Sequence, residues 1–282
     1  MSTLKTLVVL APQPDPQHIT DIAHLAEAPH LDHPGADIVR MRGAKAERRQ
    51  EVIALCHRHG YDAAYIDNGK HLGDFRLLVS DMDSTLINIE CIDEIADIKG
   101  IKPQVAEITE RAMRGELDFS AALQERVALL AGLPESALEQ VYRERLRLNP
   151  GAEQLLSACR RLGIKTLLVS GGFTYFTDRL KADYGLDYAY ANQLEIVDGR
   201  LTGRLSGEII DAVAKKQLLM ATRSALKLKP EQVMAVGDGA NDLPMLQEAG
   251  TGVAYHAKPR VSAAADIAIE HGGLDAILQL YH

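Results

Sequence analysis

The chain has 282 residues, 46% of them apolar and 25% charged, about the length of two ordinary domains with side chains enough for a sizeable core. A formal charge of −8, no Trp and only 5% aromatic residues argue against nucleic acid as a partner, since phosphates repel an acidic surface and a base-stacking platform is lacking. No apolar run approaches the ~18–20 residues of a membrane helix, so no membrane partner is expected. Met1–Leu10 lacks the basic start and long apolar stretch of a secretory signal, and Cys56, Cys91 and Cys159 form neither a CxxC nor an even-numbered framework. A soluble cytoplasmic protein is the expectation.

Residues 1–72 read as a small N-terminal α/β domain. Leu4–Leu10 is a short apolar run of strand type, and Gln17–Glu27 repeats Ile19, Ile22, Ala23 and Ala26 at helical spacing. Ala36–Met41 and Tyr61–Ile66 are expected strands, with a helix over Ala44–Arg58 between them and Gly60 just past its end. The polar turn Asn68-Gly69-Lys70-His71 marks the boundary. Most of the chain's histidines fall here. Pro29 and Pro34 oppose a helix that would align His30 with His33, and a zinc site needs three or four converging ligands. These histidines are expected on a solvated surface.

Residues 73–282 have a different texture. Leu77-Leu78-Val79-Ser80 is a continuous apolar run, the kind buried on both faces of a parallel sheet. Ile164–Val169 and Val233–Val236 repeat it, each followed by a polar, glycine-containing loop and a helical stretch. Such units predict an α/β fold with a doubly wound parallel-sheet (Rossmann-like) core. About residues 91–148 carry helical periodicity, with Pro103 and Pro134 where helices start and Gly115 and Gly132 where they stop. A crossover that long is not one helix; it reads as an inserted helical cap. Asp198-Gly199 between Leu194–Val197 and Arg200–Leu205 is a hairpin signal.

Polar residues gather after these strands. Asp81-Met82-Asp83-Ser84-Thr85 follows the first, Ser170-Gly171-Gly172 the second, and Gly237-Asp238-Gly239-Ala240-Asn241-Asp242 the third. Lys215 lies in the helical stretch after the hairpin. Ligands of open α/β sheets bind beyond the carboxyl ends of the strands. Carboxylates converging there repel one another unless a cation sits among them, and oxygen donors suit Mg²⁺, which also takes a substrate phosphate. A serine hydroxyl, glycine N–H groups and one lysine are what a phosphate requires. An EF-hand starting at Asp81 is excluded by Leu86 and Ile92, which stand where that loop needs Gly and Glu. Neither G-x-G-x-x-G nor GxxxxGK[ST] occurs, so nucleotide binding by those routes has no support. Alone, Ser170-Gly171-Gly172 is a turn and Lys215 a solvated lysine; the set, in chain order at successive strand ends, carries the inference.

That set resembles the four signature motifs of the haloacid dehalogenase-like hydrolase superfamily. Asp81–Thr85 with Glu90, the cap segment from Arg111 through Met113 to Phe119, and Ser170-Gly171-Gly172-Phe173 are similar to its phosphoserine phosphatase branch, over about residues 76–280. The resemblance implies Mg²⁺-dependent hydrolysis of O-phospho-L-serine through an aspartyl-phosphate, the last step of L-serine biosynthesis. It implies Asp81 as nucleophile and Asp83 as acid and base. It places the metal on Asp81, the backbone carbonyl of Asp83 and Asp238, with Asp242 behind them. Ser170, Gly171, Lys215 and Asn241 would take the phosphoryl oxygens, Glu90 the substrate ammonium and Arg126 its carboxylate. Met113 and Phe119 would be apolar parts of a closing cap. Taken alone, Arg126 is one arginine among several in this segment (Arg111, Arg114, Arg143, Arg145, Arg147). Residues 1–72 lie outside the resemblance and are a candidate amino-acid-binding module. A phosphotransferase passing the phosphoryl group to another hydroxyl amino acid, such as homoserine, would use the same residues, whereas dehalogenation would not need Asp83. A homodimer is left open.

Overall fold

A computed structural model describes residues 4–281 and divides the chain into two compact units. The first takes the residues up to 78, then 150–164 and 228–282; the second takes 79–149 and 165–227. The chain begins in the first unit with β1 (Lys5–Leu10), α1 (Pro16–Leu25), β2 (His30–Gly35), β3 (Ile38–Ala44), α2 (Arg49–Arg58) and β4 (Asp62–Ile66). It crosses to the second within β5 (Leu77–Ser80) and there forms α3 (Cys91–Lys99), α4 (Lys102–Met113), α5 (Phe119–Ala128) and α6 (Ser136–Gln140). After α7 (Ala152–Leu162) in the first unit, the second resumes with β6 (Lys165–Phe173), α8 (Thr174–Tyr184), β7 (Tyr188–Val197), β8 (Arg200–Ser206) and α9 (Ala212–Ala225). The first unit closes with β9 (Val233–Gly237), α10 (Leu243–Glu248), β10 (Thr251–Tyr255), α11 (Pro259–Ala264), β11 (Ile267–Ile269) and α12 (Ala276–Leu280).

In the first unit, β1 lies between β3 and β4, antiparallel to both, and Leu7 to Leu10 are buried without alternation because the strand is covered on both faces: Leu7 and Val9 join the α1–α2 cluster, and α12 also packs on β1. Asp15 caps α1 by accepting the N–H groups of Gln17 and His18, Pro16 opens the helix, and Ile19, Ile22 and Ala23 turn inward. They meet Val39, Met41, Val52 and Cys56 in one apolar cluster. The helix α2 starts at Arg49 and not at Ala44, because Ala44 still pairs with Lys5 in the sheet. The strand β2 was not expected. It is a polar edge strand holding Pro34, a residue that sheets tolerate only at an edge or bulge. Three of the histidines expected on a solvated surface are instead partly buried: His18 stacks on His59 with ring centroids 3.6 Å apart, and His57 lies 3.1 Å from Glu270.

Strand order in this unit runs β2-β3-β1-β4-β11-β10-β9, with β9, β10 and β11 parallel and β4 antiparallel to β11 at Ala63 and Ala268. The N-terminal and C-terminal segments thus share a sheet. Their seam is pinned by buried Asp62, whose carboxylate accepts N–H groups from Glu270 (2.8 Å), His271 (3.2 Å) and Gly272 (2.7 Å).

In the second unit, Pro103 sits in the first turn of α4 and Gly115 (φ 78°) just past its end, and Pro134 precedes α6, as expected. Gly100, which ends α3 in the left-handed region, and Asp118, which caps α5 through the Ala121 N–H, were not anticipated. Arg145 bridges Glu94 and Asp97, and the Lys99 ammonium donates to the carbonyls of Leu129 and Ala131. Asp198 (φ 50°) and Gly199 (φ 70°) make the two-residue turn between β7 and β8 that the sequence predicted. Among the described residues, no helix is long and apolar enough to cross a membrane.

Candidate active site

Asp81 directly follows β5 in extended backbone, buried, and Met82–Leu86 then form a wide turn in which Ser84 takes a φ of 56°. The turn is held from outside by Asn149, whose amide donates to the carbonyls of Thr85 (2.8 Å) and Ile87 (3.0 Å). Lys215 comes from the first turn of α9, which Asp211 caps through the Ala214 N–H. Its Nζ donates to Asp81 Oδ1 at 2.6 Å, with side-chain exposures of only 1% and 7%. Burying such a pair costs desolvation of both ions, and removing either partner costs far more.

Asp83 has different surroundings. Its Oδ1 accepts the Cys91 N–H at 2.8 Å, and its Oδ2 accepts the Ser170 hydroxyl at 3.2 Å. Burial pushes its carboxyl pKa up, opposed by the Cys91 and Ser170 hydrogen bonds and the Lys215 charge. Two aspartates two residues apart therefore differ: one faces a buried ammonium, the other is biased toward its protonated form. That is the asymmetry a nucleophile and a neighbouring general acid require.

The Ser170-Gly171-Gly172 segment is not a loop after the strand but part of β6, which pairs with β7 through a register shift between Val169 and Phe173. Ser170 Oγ accepts the Gly172 N–H at 2.8 Å. A Cβ on Gly172 would sit 2.5 Å from Asp83 Oδ2, and one on Gly171 would sit 2.9 Å from Phe119 Cζ. At Gly172 the added atom would press on Asp83 itself, and at Gly171 the tip of the Phe119 ring would have to shift; Phe119 thus lies against Gly171. Ser84 donates its hydroxyl to Glu90 Oε1 at 2.7 Å. Burial lowers the Arg126 pKa, opposed by the charges of Asp93, Glu90 and Asp83, and its Nε donates to the Ala122 carbonyl at 3.3 Å. Its neighbours in sequence do otherwise: Arg111 pairs with Glu125, Arg114 with Glu116, and Arg143 with Glu139. Met113, at the end of α4, is 69% exposed and is not brought to the group.

The third motif belongs to the first unit. After β9, Gly237 leads into a tight loop in which Asp238, Gly239 and Asn241 are half-buried and Asp242 is fully buried. Asp242 Oδ2 accepts the Gly239 N–H at 3.0 Å. A Cβ on Gly237 would lie 2.5 Å from the Asp242 carboxyl carbon, and one on Gly239 would lie 2.1 Å from Asn241 Oδ1, so a side chain at either position would displace Asp242 or Asn241. Asp238 and Asp242 offer carboxylate oxygens in this loop, the donor type that suits a hard divalent cation. Sequence reasoning missed Asn149, Asn192 and the Cys91 N–H. The first two are lone asparagines outside any motif, and a backbone donor has no letter of its own.

Residues 75–250 match the haloacid dehalogenase-like hydrolase family. The chain belongs to that family. A phosphoserine phosphatase of Polaromonas sp. is 56% identical over 214 residues, covering 74% of this chain and 91% of the relative. A HAD family hydrolase of Salmonella enterica serovar Typhi has a similar structure, with TM-score 0.90 over 99% of both chains at 32% identity. A probable phosphoserine phosphatase of Vibrio cholerae gives TM-score 0.83 over 98% of this chain and 86% of its own, at 39% identity. These likenesses agree with the expected Rossmann-like α/β core carrying a helical cap.

Proposed function

We propose that this chain hydrolyses O-phosphoserine to serine and phosphate through a phosphoenzyme on Asp81. The observation that carries the reading is the pair of unlike aspartates: Asp81 on the buried Lys215 ammonium, and Asp83 with its pKa raised and Ser170 on its carboxylate. An Asp81 oxygen attacks phosphorus, the bond to the serine oxygen breaks, and that oxygen takes the Asp83 proton. Asp83, now a base, takes a proton from water as the water oxygen bonds to phosphorus. The bond to Asp81 breaks, phosphate leaves, and both carboxyls return to their starting states. Ser170, the Gly171 N–H, Lys215 and Asn241 bind the phosphoryl oxygens as charge redistributes.

Asp81, the Asp83 carbonyl and Asp238 are the proposed Mg²⁺ ligands, with Asp242 orienting Lys215 or a metal water; an oxygen-only donor set fits a hard cation. When bound, that cation offsets the like charges of phosphate and carboxylates. Glu90 takes the substrate ammonium and Arg126 its carboxylate, while Phe119 and Met113 exclude water when the cap closes. Residues 73–282 carry the chemistry and residues 1–72 are accessory, in a cytoplasmic protein acting on a small molecule. The test is phosphate release from O-phosphoserine against a panel of phosphomonoesters and with homoserine as acceptor, in EDTA and after Mg²⁺ is restored. Turnover preferring O-phosphoserine and dependent on Mg²⁺ supports the reading. Activity unaffected by stringent metal removal, or phosphate passed to homoserine and not to water, would overturn it.

A further inference from the structure

Asn192 lies in β7 and is 1% exposed, and no step above uses it. Its amide nitrogen donates to the Gly171 carbonyl at 2.8 Å, and its Oδ1 accepts the Ile210 N–H at 2.7 Å. The orientation of the amide is fixed by its partners, since a carbonyl only accepts and an N–H only donates. The pairing of β6 with β7 is regular as far as Val169 opposite Tyr190 and resumes at Phe173 opposite Asn192. Between these points the Asn192 side chain, not a strand partner's backbone, holds the Gly171 carbonyl. The Gly171–Gly172 peptide is thus clamped at both ends, its carbonyl by Asn192 and its N–H by Ser170 Oγ. On the other side, Ile210 immediately precedes Asp211, the cap of the helix that carries Lys215.

We infer that Asn192 is a positioning residue for phosphoryl transfer, holding the Ser170–Gly172 segment and the start of α9 in one frame. The inference rests on the phosphatase reading. A hydrogen-bonded line runs from the Ile210 N–H through Asn192 and the Gly171–Gly172 peptide to Ser170 and Asp83. Its far branch, through the Asp211 cap, sets the helix whose Lys215 ammonium meets Asp81. Asn192 touches no reacting atom in this scheme, so its loss should degrade alignment in the transition state and leave recognition of the amino-acid end intact. Misplacement by a fraction of an ångström is enough for large rate effects.

The informative variant is Asn192→Asp, which keeps the acceptor for Ile210 but sets an oxygen against the Gly171 carbonyl. Asn192→Ser, smaller and still polar, serves where the first does not fold. The expected result is a fall of roughly 10- to 100-fold in kcat for O-phosphoserine and an aryl phosphate alike, with inhibition by orthovanadate weakened to match. KM for O-phosphoserine and product inhibition by L-serine should change little. Val8→Ala, a buried change in β1 of the first unit, controls for stability: matched in melting temperature, it should keep kcat. Folded Asn192 variants with kcat and orthovanadate inhibition within twofold of the parent would overturn the positioning role, as would a loss seen only in KM for O-phosphoserine. A parent that releases no phosphate from any phosphomonoester would instead overturn the phosphatase reading, and this role with it.

Discussion

Gly172→Ala tests how tightly the general acid is held. The added Cβ would stand 2.5 Å from Asp83 Oδ2 and 3.0 Å from both Met82 Cε and Ser170 Oγ, where ordinary contact begins at 3.4 Å. The Asp83 oxygen must therefore yield by about 0.9 Å. It has little room, because its other oxygen is fixed by the Cys91 N–H at 2.8 Å. The bond given up is the one from Ser170 at 3.2 Å, a contact between neutral groups while Asp83 holds its proton, whose loss costs on the order of 0.5–1.5 kcal/mol. A general acid displaced that far should lose most of its contribution, about 10²-fold in kcat for O-phosphoserine. An aryl phosphate, whose leaving group needs little protonation, should still phosphorylate Asp81, and the phosphoenzyme should then persist because water attack also needs Asp83. The assay is steady-state phosphate release beside acid-quench labelling, with urea unfolding as a check on the fold. A folded variant with kcat within threefold of the parent would show that the carboxylate is not confined as described.

The other expectations are shorter. Glu90→Ala and Arg126→Ala should each lower kcat/KM for O-phosphoserine by about ten- to a hundredfold more than for an aryl phosphate, the cost of an unpaired charged group in a closed site; equal losses would assign these residues to cap support. Lys215→Met removes the ammonium from the buried Asp81 carboxylate and should cost about 3–5 kcal/mol in urea unfolding, while Asp81→Asn combined with it should recover much of that stability without turnover. Asp83→Asn should cut turnover by about 10²–10⁴-fold yet accumulate hydroxylamine-sensitive label from an aryl phosphate, and Asp81→Asn should never be labelled. Asp62→Ala strips three backbone N–H groups of their acceptor at the β4–β11 seam and should destabilise the chain by about 2–4 kcal/mol. Unchanged urea midpoints would place that seam's stability elsewhere.

What was legible in the fold follows from burial on two faces. The cores of β5 and β6 are runs of Leu and Val, and that of β9 is Val-Met-Ala-Val, because parallel strands covered on both sides need no alternation, and such runs announce themselves. Edge strands do not. The sequence His30-Leu31-Asp32-His33-Pro34-Gly35 has one aliphatic side chain apart from its proline, since β2 pairs on one side only and faces water. Nor could a local pattern show that β4 would meet β11: the seam rests on one aspartate and backbone N–H groups some 208 residues away along the chain. Contacts of that separation leave no periodicity to read.

The site divides along similar lines. Chemistry confined to a few side-chain types at strand ends was readable, because a phosphate and a cation restrict what can stand there: Asp81, Asp83, Ser170, Lys215 and Asp238 follow from that restriction. Arg126 required the resemblance, since its distinction from Arg111 or Arg143 lies in its lack, among the described residues, of a neighbouring ion-pair partner on the cap and in the Asp93, Glu90 and Asp83 charges that act on it, which local sequence does not show. Asn192 was beyond reach for a stronger reason. Both of its partners are backbone atoms, Gly171 O and Ile210 N, so no side-chain letter elsewhere reports the contact. Its value comes from interrupted pairing between β6 and β7, a feature of register and not of composition. Where a strand must leave its ladder to present N–H groups to a ligand, some side chain has to take over the orphaned carbonyl, because a buried peptide group left without a partner costs free energy comparable to a lost hydrogen bond. Buried asparagines beside irregular strand ends are therefore where positioning residues should be sought in this fold.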